Sequence, residues 1–281
     1  MERPVRPLTL RRMATTVGTE SAAKLHGVLL QVSYDGSAFH GWARQQRART
    51  VEDTLAGAVL AVDPRAGAIR GTSRTDAGVH AEGQLAAFDA ELEIPARGWA
   101  LGLNQNLPDD VAVRAARSVP AGFAPRFAAR GKRYRYRVLV DCARDPHWRA
   151  RAWRVPELDV AAMVREAEAA RGKHDFASFR AAGDDRATTV RTLTRVDIER
   201  EGDSRVVAIV VEGDAFLYRM VRILAGTMVD VGRGRLAAGA VTRAILARDR
   251  RAAGTTAPPH GLVLEHVHID LPDGTGEPWP P

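Results

Sequence analysis

The sequence predicts an α+β protein made of two ferredoxin-like halves, with mainly antiparallel sheets and a cleft between them. Segments with alternating apolar residues, typical of strands, are interspersed with segments whose apolar residues recur every three or four positions, typical of helices. The order β-α-β-β-α-β, which defines the ferredoxin-like unit, occurs twice along the chain. The chain has 281 residues, 45% of them hydrophobic, which is enough for one large domain or two small ones.

The first half is predicted over residues 27–130. Alternation from Val28 to Tyr34 indicates a half-buried strand. A helix begins after Thr50, because Thr50 and Asp53 form the ends of a capping-box pattern, and Asp63 followed by proline ends it. The remaining predicted elements are strands at 66–72, 84–89 and 111–116 and a helix at 96–103.

The second half is predicted over residues 131–270. Its first strand runs to Val140 and places Tyr134 and Tyr136 on one face. Asp159 is the predicted N-cap of a helix that ends near Gly172. The remaining predicted elements are strands at 193–200, 206–212 and 262–269 and helices at 216–231 and 241–248.

Composition favours an intracellular protein without a membrane anchor. No apolar run reaches the length of a membrane span. The single cysteine, Cys142, excludes a disulfide framework and fits a reducing cytoplasm. Residues 1–26 lack the apolar core of a secretory signal, and we expect them to form a flexible basic tail. The alternative is an organelle-targeting peptide, which the acidic residues Glu2 and Glu20 disfavour. Residues 271–281 are predicted to be a second tail.

Basic charge suggests a polyanionic partner. The chain has 41 Lys and Arg against 34 Asp and Glu, a formal net charge of +7. The charge is locally concentrated, and such clusters commonly bind nucleic acids. No acidic residue interrupts this basic cluster, which consists of Arg126, Arg130, Lys132, Arg133, Arg135 and Arg137.

The segment at 71–81 holds the strongest candidate for catalysis. If the backbone is extended, Arg74 and Asp76 point to the same side and can pair. Pairing with arginine favours the ionised carboxylate, which is a competent nucleophile. Ala77 and Gly78 leave room beside it for a planar ligand. The competing interpretation is a turn or a helix N-cap at Asp76.

Several other polar residues have two interpretations. Tyr134 can stack on a base among cationic side chains, or it can belong to the core. Arg219 and Arg222 interrupt an apolar helix, so at least one of them is expected to meet a carboxylate or a phosphate. His80 is expected to support the neighbouring loop.

No metal site is predicted. His266 and His268 alternate on a strand, but no third ligand is placed near them. The glycine-rich stretch at 231–235 lacks the lysine of a phosphate-binding loop, so nucleotide binding is not predicted either.

The chain resembles the TruA-type tRNA pseudouridine synthases over about residues 28–270. Arg74-Thr75-Asp76-Ala77-Gly78-Val79-His80-Ala81 matches the catalytic block of that family. The other matching blocks, in the order and spacing of the family, are Tyr34-Asp35-Gly36, Gly41-Trp42, Leu103 to Pro108, Arg126-Phe127, Arg133 to Tyr136, Asp175 to Phe179 and Met220 to Arg222.

The resemblance implies an enzyme that isomerises uridine to pseudouridine at positions 38, 39 and 40 of the tRNA anticodon stem-loop. The family acts as a homodimer without cofactor or metal. Asp76 would be the nucleophile, and Arg74 would pair with it and help to displace the base. Tyr134 would pack on the flipped uracil, and Arg222 would complete the charge network. The expected RNA contacts are Tyr134, Phe123, Arg126, Phe127, Arg133 and Arg135.

Three departures from the family pattern bear on this expectation. Ser73 stands where a smaller residue is usual, and Leu217-Tyr218 replaces a pair that is often histidine. Residues 183–191 differ from the usual Ser-Arg-Thr-Pro-like loop, which affects the choice of target more than the chemistry. Two other functions stay open at this point: a tRNA-binding protein without the activity, and an enzyme for uridines in other structured RNAs.

Overall fold

The computed structural model of the chain describes residues 25–271 and residue 279. The tails predicted at 1–26 and 271–281 therefore lie almost wholly outside the described residues. Within the described part, strands and helices are mixed along the chain, as the sequence predicts for an α+β protein.

The first half contains the predicted elements with changed bounds. The Thr50 hydroxyl accepts a hydrogen bond from the Asp53 amide, which confirms the predicted helix start. The strand expected at 66–72 is only two residues long, and the next strand begins at His80 rather than Gln84. The elements are β1 (His26–Tyr34), α1 (Val51–Val62), β2 (Arg70–Gly71), β3 (His80–Ala90), α2 (Ala96–Asn106) and β4 (Val111–Val119).

The second half also follows the predicted order, with three short additions that lacked a clear apolar pattern. Asp159 caps its helix as predicted, accepting from the Ala162 amide. The additions are β6, β7 and α3, the last of which lies just before the predicted boundary at residue 130. The elements are α3 (Pro125–Ala128), β5 (Ala129–Val140), β6 (Trp153–Val155), α4 (Val160–Ala170), β7 (Gly172–Asp175), β8 (Val190–Arg200), β9 (Val206–Gly213), α5 (Met220–Gly232), α6 (Ala240–Ala247) and β10 (Leu262–Ile269).

All these strands belong to one sheet, whereas separate sheets were predicted for the two halves. The main path runs β4-β1-β3-β10-β5-β9-β8-β7, with β2 beside β3 and β6 beside β5. Strand β10 joins the halves, because it pairs in parallel with β3 at Val263 and Leu264 and antiparallel with β5. Apart from that junction and the β5–β6 pair, the pairing is antiparallel.

The core explains why α5 is almost wholly apolar, with Arg222 and Asp230 as its charged residues. All residues of this helix are buried. At Gly226, a Cβ atom would lie 1.7 Å from the Thr255 carbonyl oxygen, so only glycine permits this close approach. Strand β9 is equally buried from Val206 to Val211. Despite these apolar segments, no helix in the described part of the chain has the length and hydrophobicity needed to cross a bilayer.

Candidate active site

The loop between β2 and β3 carries Asp76, and a buried amide holds its beginning. Gln84 on β3 is fully buried. Its Nε2 donates to the Ser73 carbonyl (2.6 Å), and its Oε1 accepts from the Ser73 amide (3.2 Å). The Gln84 side chain thus takes the place of a neighbouring strand, because it satisfies both the N–H and the C=O group of Ser73 away from water.

The segment after β1 fixes the middle of the same loop. The Trp42 amide donates to the Thr75 carbonyl (3.1 Å), and the Tyr34 hydroxyl lies 2.7 Å from the Thr75 hydroxyl. Gly41 has φ +97° and packs directly on Thr75, where a Cβ atom would lie 2.6 Å from the carbonyl oxygen. The Tyr34 and Gly41-Trp42 blocks of the sequence therefore build the support of the Asp76 loop.

Asp76 pairs with an arginine from the second half of the chain. The Arg222 Nη1 atom donates to Asp76 Oδ2 at 2.8 Å. The Nε atom of Arg222 donates to the Ala257 carbonyl at 2.8 Å, which fixes the guanidinium. The two side chains keep only 18% and 11% of their surface exposed. The charge pair predicted for Arg222 is therefore present, with the carboxylate still accessible from one side.

The predicted pair between Arg74 and Asp76 is absent. Arg74 is exposed, and it makes no hydrogen bond or ion pair with any residue of the described part. Thr75 is buried between them and bonded to Tyr34, so the loop turns Arg74 outward. The side-by-side placement expected for an extended strand fails here, because β2 ends at Gly71.

Arg219 approaches the same carboxylate. Its Nε lies 3.9 Å from Asp76 Oδ2, and its guanidinium stacks 4.8 Å from the centre of the Tyr218 ring. The residue has φ +57°, a left-handed conformation that is uncommon outside glycine. This turn delays the start of α5 from the predicted residue 216 to Met220 and directs Arg219 towards Asp76.

Tyr134 lies beside Asp76 and is 8% exposed. Its ring packs edge-on against Phe216, with the ring centres 5.1 Å apart. Burial, together with the neighbouring Asp76 carboxylate, raises the pKa of the phenol to about 12. Tyr134 is therefore a neutral phenol at physiological pH, and it supplies an aromatic wall with a polar tip.

The predicted RNA contacts divide between two regions. Phe127 on α3 is 88% exposed, and Arg126 is exposed beside it, whereas Phe123 is partly buried against the core. Arg133 and Arg135 alternate with Tyr134 along β5 and so leave the opposite face of the sheet. There Arg133 pairs with Glu212 at 2.6 Å, and Arg135 pairs with Glu265 at 2.8 Å, within a wider group of carboxylates. This geometry does not support the expected RNA contact of these two arginines.

His80 follows the Asp76 loop and is held by contacts with two other segments. Its Nδ1 accepts from the Gly36 amide (3.1 Å), and its Nε2 lies 3.2 Å from the His260 carbonyl. His266 and His268 pack ring to ring, with Glu212 3.2 Å from His268. Among the described residues no group of three or more His, Cys, Asp or Glu side chains could hold a metal ion.

The sequence predicts Lys132 only as a member of the basic cluster and not as a site residue of its own. This residue precedes Tyr134 by two positions on β5, and it is partly buried without a carboxylate partner in residues 25–271. The available signal was its place inside the basic cluster, but the cluster alone could not tell Lys132 from the arginines that point the other way.

Comparison with known proteins identifies the class to which this site belongs. The family model described as tRNA pseudouridine synthase matches residues 30–128 and 167–270. The chain therefore belongs to the tRNA pseudouridine synthase family, whose members are isomerases. Its curated relatives carry the name tRNA pseudouridine synthase A.

Three of these relatives show how far the similarity extends. The protein of Acetivibrio thermocellus is 40% identical over 245 residues, covering 87% of this chain and 100% of the relative. The protein of Geobacter sp. (strain M21) is 42% identical, covering 87% and 99%. The protein of Halalkalibacterium halodurans is 44% identical, covering 83% and 89%. The similarity thus extends over nearly the whole of each relative.

Proposed function

We propose that this protein converts uridine to pseudouridine at positions 38, 39 and 40 of the tRNA anticodon stem-loop, with Asp76 as the nucleophile. The observation that carries the proposal is the Asp76 carboxylate, oriented by Arg222 at 2.8 Å and open beside Tyr134. Family membership and the name of the relatives support tRNA as the substrate.

The reaction moves one bond and one proton. The C1′–N1 bond of uridine breaks, the uracil rotates, and a C1′–C5 bond forms. C5 then loses its hydrogen as a proton, and N1 ends with one. A carboxylate beside an electron-poor sugar carbon has its precedent in glycosidases, which favours attack or elimination at C1′ over attack at C6.

A base inside a stem must leave the stack before Asp76 can reach it, at a cost of a few kcal/mol. Tyr134 offers a neutral aromatic surface on which the flipped uracil packs. Arg74 is exposed on the same loop, and it fills the space that the base leaves. The exposed Arg126 and Phe127 contact the RNA outside the pocket.

The first experiment removes the nucleophile while keeping its shape. Asp76→Asn should bind tRNA within about threefold of wild type but form no pseudouridine, since an amide is a poor nucleophile. Release of tritium from C5-labelled uridine in tRNA measures the reaction. Asp109→Asn is the matched control, because Asp109 is exposed and distant in sequence from the loop. Normal tritium release by Asp76→Asn would disprove the assignment.

We also propose the assembly and setting that the family resemblance implies. The halves at 27–130 and 131–270 are two ferredoxin-like units, supported by the order in which their strands lie in the sheet. The protein acts in the cytoplasm as a homodimer without cofactor or metal. Light scattering after gel filtration tests the dimer. Activity on prefolded tRNA with and without EDTA tests the independence from metal, with tRNA melting as the control.

A further inference from the structure

Lys132 is a partly buried cation without a counter-ion among the residues that the structure describes. It lies on β5 two residues before Tyr134, so both side chains leave the same face of the strand. Its ammonium group makes no hydrogen bond or ion pair with any residue of the described part. A charge withdrawn from water without a partner is unfavourable, and proteins retain such groups mainly where they serve a function.

Two further cations from separate segments act electrostatically on Lys132. Arg126 comes from α3 and Arg186 from the loop between β7 and β8. Burial, reinforced by the Arg126 and Arg186 charges, lowers the pKa of Lys132 to about 8. Each of the two guanidinium charges therefore disfavours the charged form of Lys132.

Arg186 also connects this cationic group to the active site. Its Nη1 donates to the Phe216 carbonyl, and the Phe216 ring packs 5.1 Å from Tyr134. Asp184 fixes the loop, because it accepts from the Tyr218 amide (2.7 Å) and lies 3.5 Å from Arg186. Arg186 is thus connected through Phe216 to Tyr134, the aromatic residue beside Asp76.

The other neighbours of Lys132 do not neutralise it. Its partners across the sheet are Gly213 on β9 and Val267 on β10, and neither carries a charge. Asp184 is occupied by Arg186 and by two backbone amides.

We propose that Lys132, together with Arg126 and Arg186, binds a backbone phosphate adjacent to the flipped nucleotide. The inference rests on the proposed function and extends it, because it assigns the group that holds the RNA backbone while the base leaves the stack. A phosphodiester supplies the negative charge and the acceptor oxygens that Lys132 and Arg126 lack among the described residues, and Arg186 adds positive charge beside them. Arg186 belongs to the segment 183–191 that departs from the family pattern, so its part in the phosphate site is particular to this chain.

The test combines a charge removal in the protein with a charge removal in the RNA. Lys132→Gln should weaken binding of an anticodon stem-loop RNA about tenfold, as expected for one charged hydrogen-bonded contact. It should also lower the slope of log affinity against log salt by about 0.7–0.9. In Lys132→Arg, the RNA affinity and the salt slope should both stay near their wild-type values. Lys173→Gln is the matched control, because Lys173 is exposed on β7 and lacks a partner among the described residues.

Single methylphosphonate substitutions in the RNA locate the contact. At one position flanking the target uridine, the methylphosphonate should weaken RNA binding by the wild-type protein about tenfold. The same substitution should weaken binding by Lys132→Gln less than twofold, because that variant has already lost the contact. Wild-type affinity should also decline between about pH 7 and 9 more steeply than that of Lys132→Arg, since arginine keeps its charge there.

The outcomes separate this inference from the proposed function. The phosphate site would be overturned if Lys132→Gln had the affinity and salt slope of wild type. It would also be overturned if the effects of Lys132→Gln and of each flanking methylphosphonate were additive. In both cases tritium release by the wild-type protein would still support the enzyme activity. Absence of tritium release from wild type would overturn the proposed function itself.

Discussion

Arg222 reaches Asp76 across 146 positions of the sequence, with 2.8 Å between Nη1 and Oδ2. The same guanidinium donates from Nε to the Ala257 carbonyl. The arginine is thus anchored to the backbone at one edge and to the carboxylate at the other. A planar group with several donors in fixed directions makes both contacts at once.

Arg222→Lys should lose about a hundredfold in the single-turnover rate, with tRNA affinity within about threefold of wild type. A lysine cannot donate to Ala257 and Asp76 in the same geometry, and small misplacements of a reacting group cost about two orders of magnitude. Tritium release under single-turnover conditions measures the effect. The control is Arg200→Lys, at an exposed arginine that donates to the Ser204 carbonyl. A rate within threefold of wild type would show that the arginine acts through charge alone.

Arg74→Ala should leave folding unchanged, because Arg74 is exposed and has no partner among the described residues. Its melting temperature should stay within about 2 °C of wild type. Pseudouridine formation should nevertheless fall at least tenfold, since the proposed role is exercised only on RNA. A large drop in melting temperature would reveal an internal contact of Arg74, and full activity would exclude it from base displacement.

Gln84→Leu should destabilise the fold and slow the reaction together. The substitution leaves the backbone groups of Ser73 without their partner in a buried place, at a cost of about 1–3 kcal/mol in the free energy of unfolding. Urea denaturation and tritium release measure the two effects. Gln105→Ala, at an exposed position on α2, is the control. If the free energy of unfolding falls but the reaction rate is unchanged, the loop keeps its geometry without the hydrogen bonds between Gln84 and Ser73.

Lys132→Met should stabilise the protein at neutral pH. The pKa of Lys132 is lowered to about 8, below the ordinary value of 10.5, so the folded state binds its proton more weakly than the unfolded state. Wild-type stability should therefore rise with pH between about 8 and 10.5 through this group, and below pH 8 its full penalty applies. Removal of the charge should gain on the order of 2 kcal/mol at pH 7 and almost nothing near pH 10.5. Denaturant unfolding at the two pH values provides the measurement, and an equal gain at both would point to packing instead.

The sequence predicts the order of the elements well, because helix caps such as Thr50 and Asp159 are local signals that the structure confirms. It also identifies the neighbourhood of Asp76 through a dense local motif. It fails where tertiary packing decides. The outward turn of Arg74 depends on Thr75 and its contact with Tyr34, and the pairing of Arg133 and Arg135 depends on glutamates from distant strands.

The joining of the halves was missed for the same reason. The alternation of apolar and polar residues within Leu262–Ile269 predicts a strand, but nothing in the segment itself indicates that this strand lies between β3 and β5. Arg219 was equally ambiguous, since its left-handed backbone is set by the surrounding structure rather than by its own preference.

The central place of β10 has a consequence for synthesis on the ribosome. The ribosome makes this strand after every other described strand, yet the strand occupies the middle of the sheet and bridges β3 to β5. Until it emerges, two nascent units present open edges, and the element that aligns the Asp76 loop with Arg222 is missing. Long-range pairing of this kind closes slowly. Growing chains should therefore remain inert towards RNA, and activity should arise only after translation has passed the last strand.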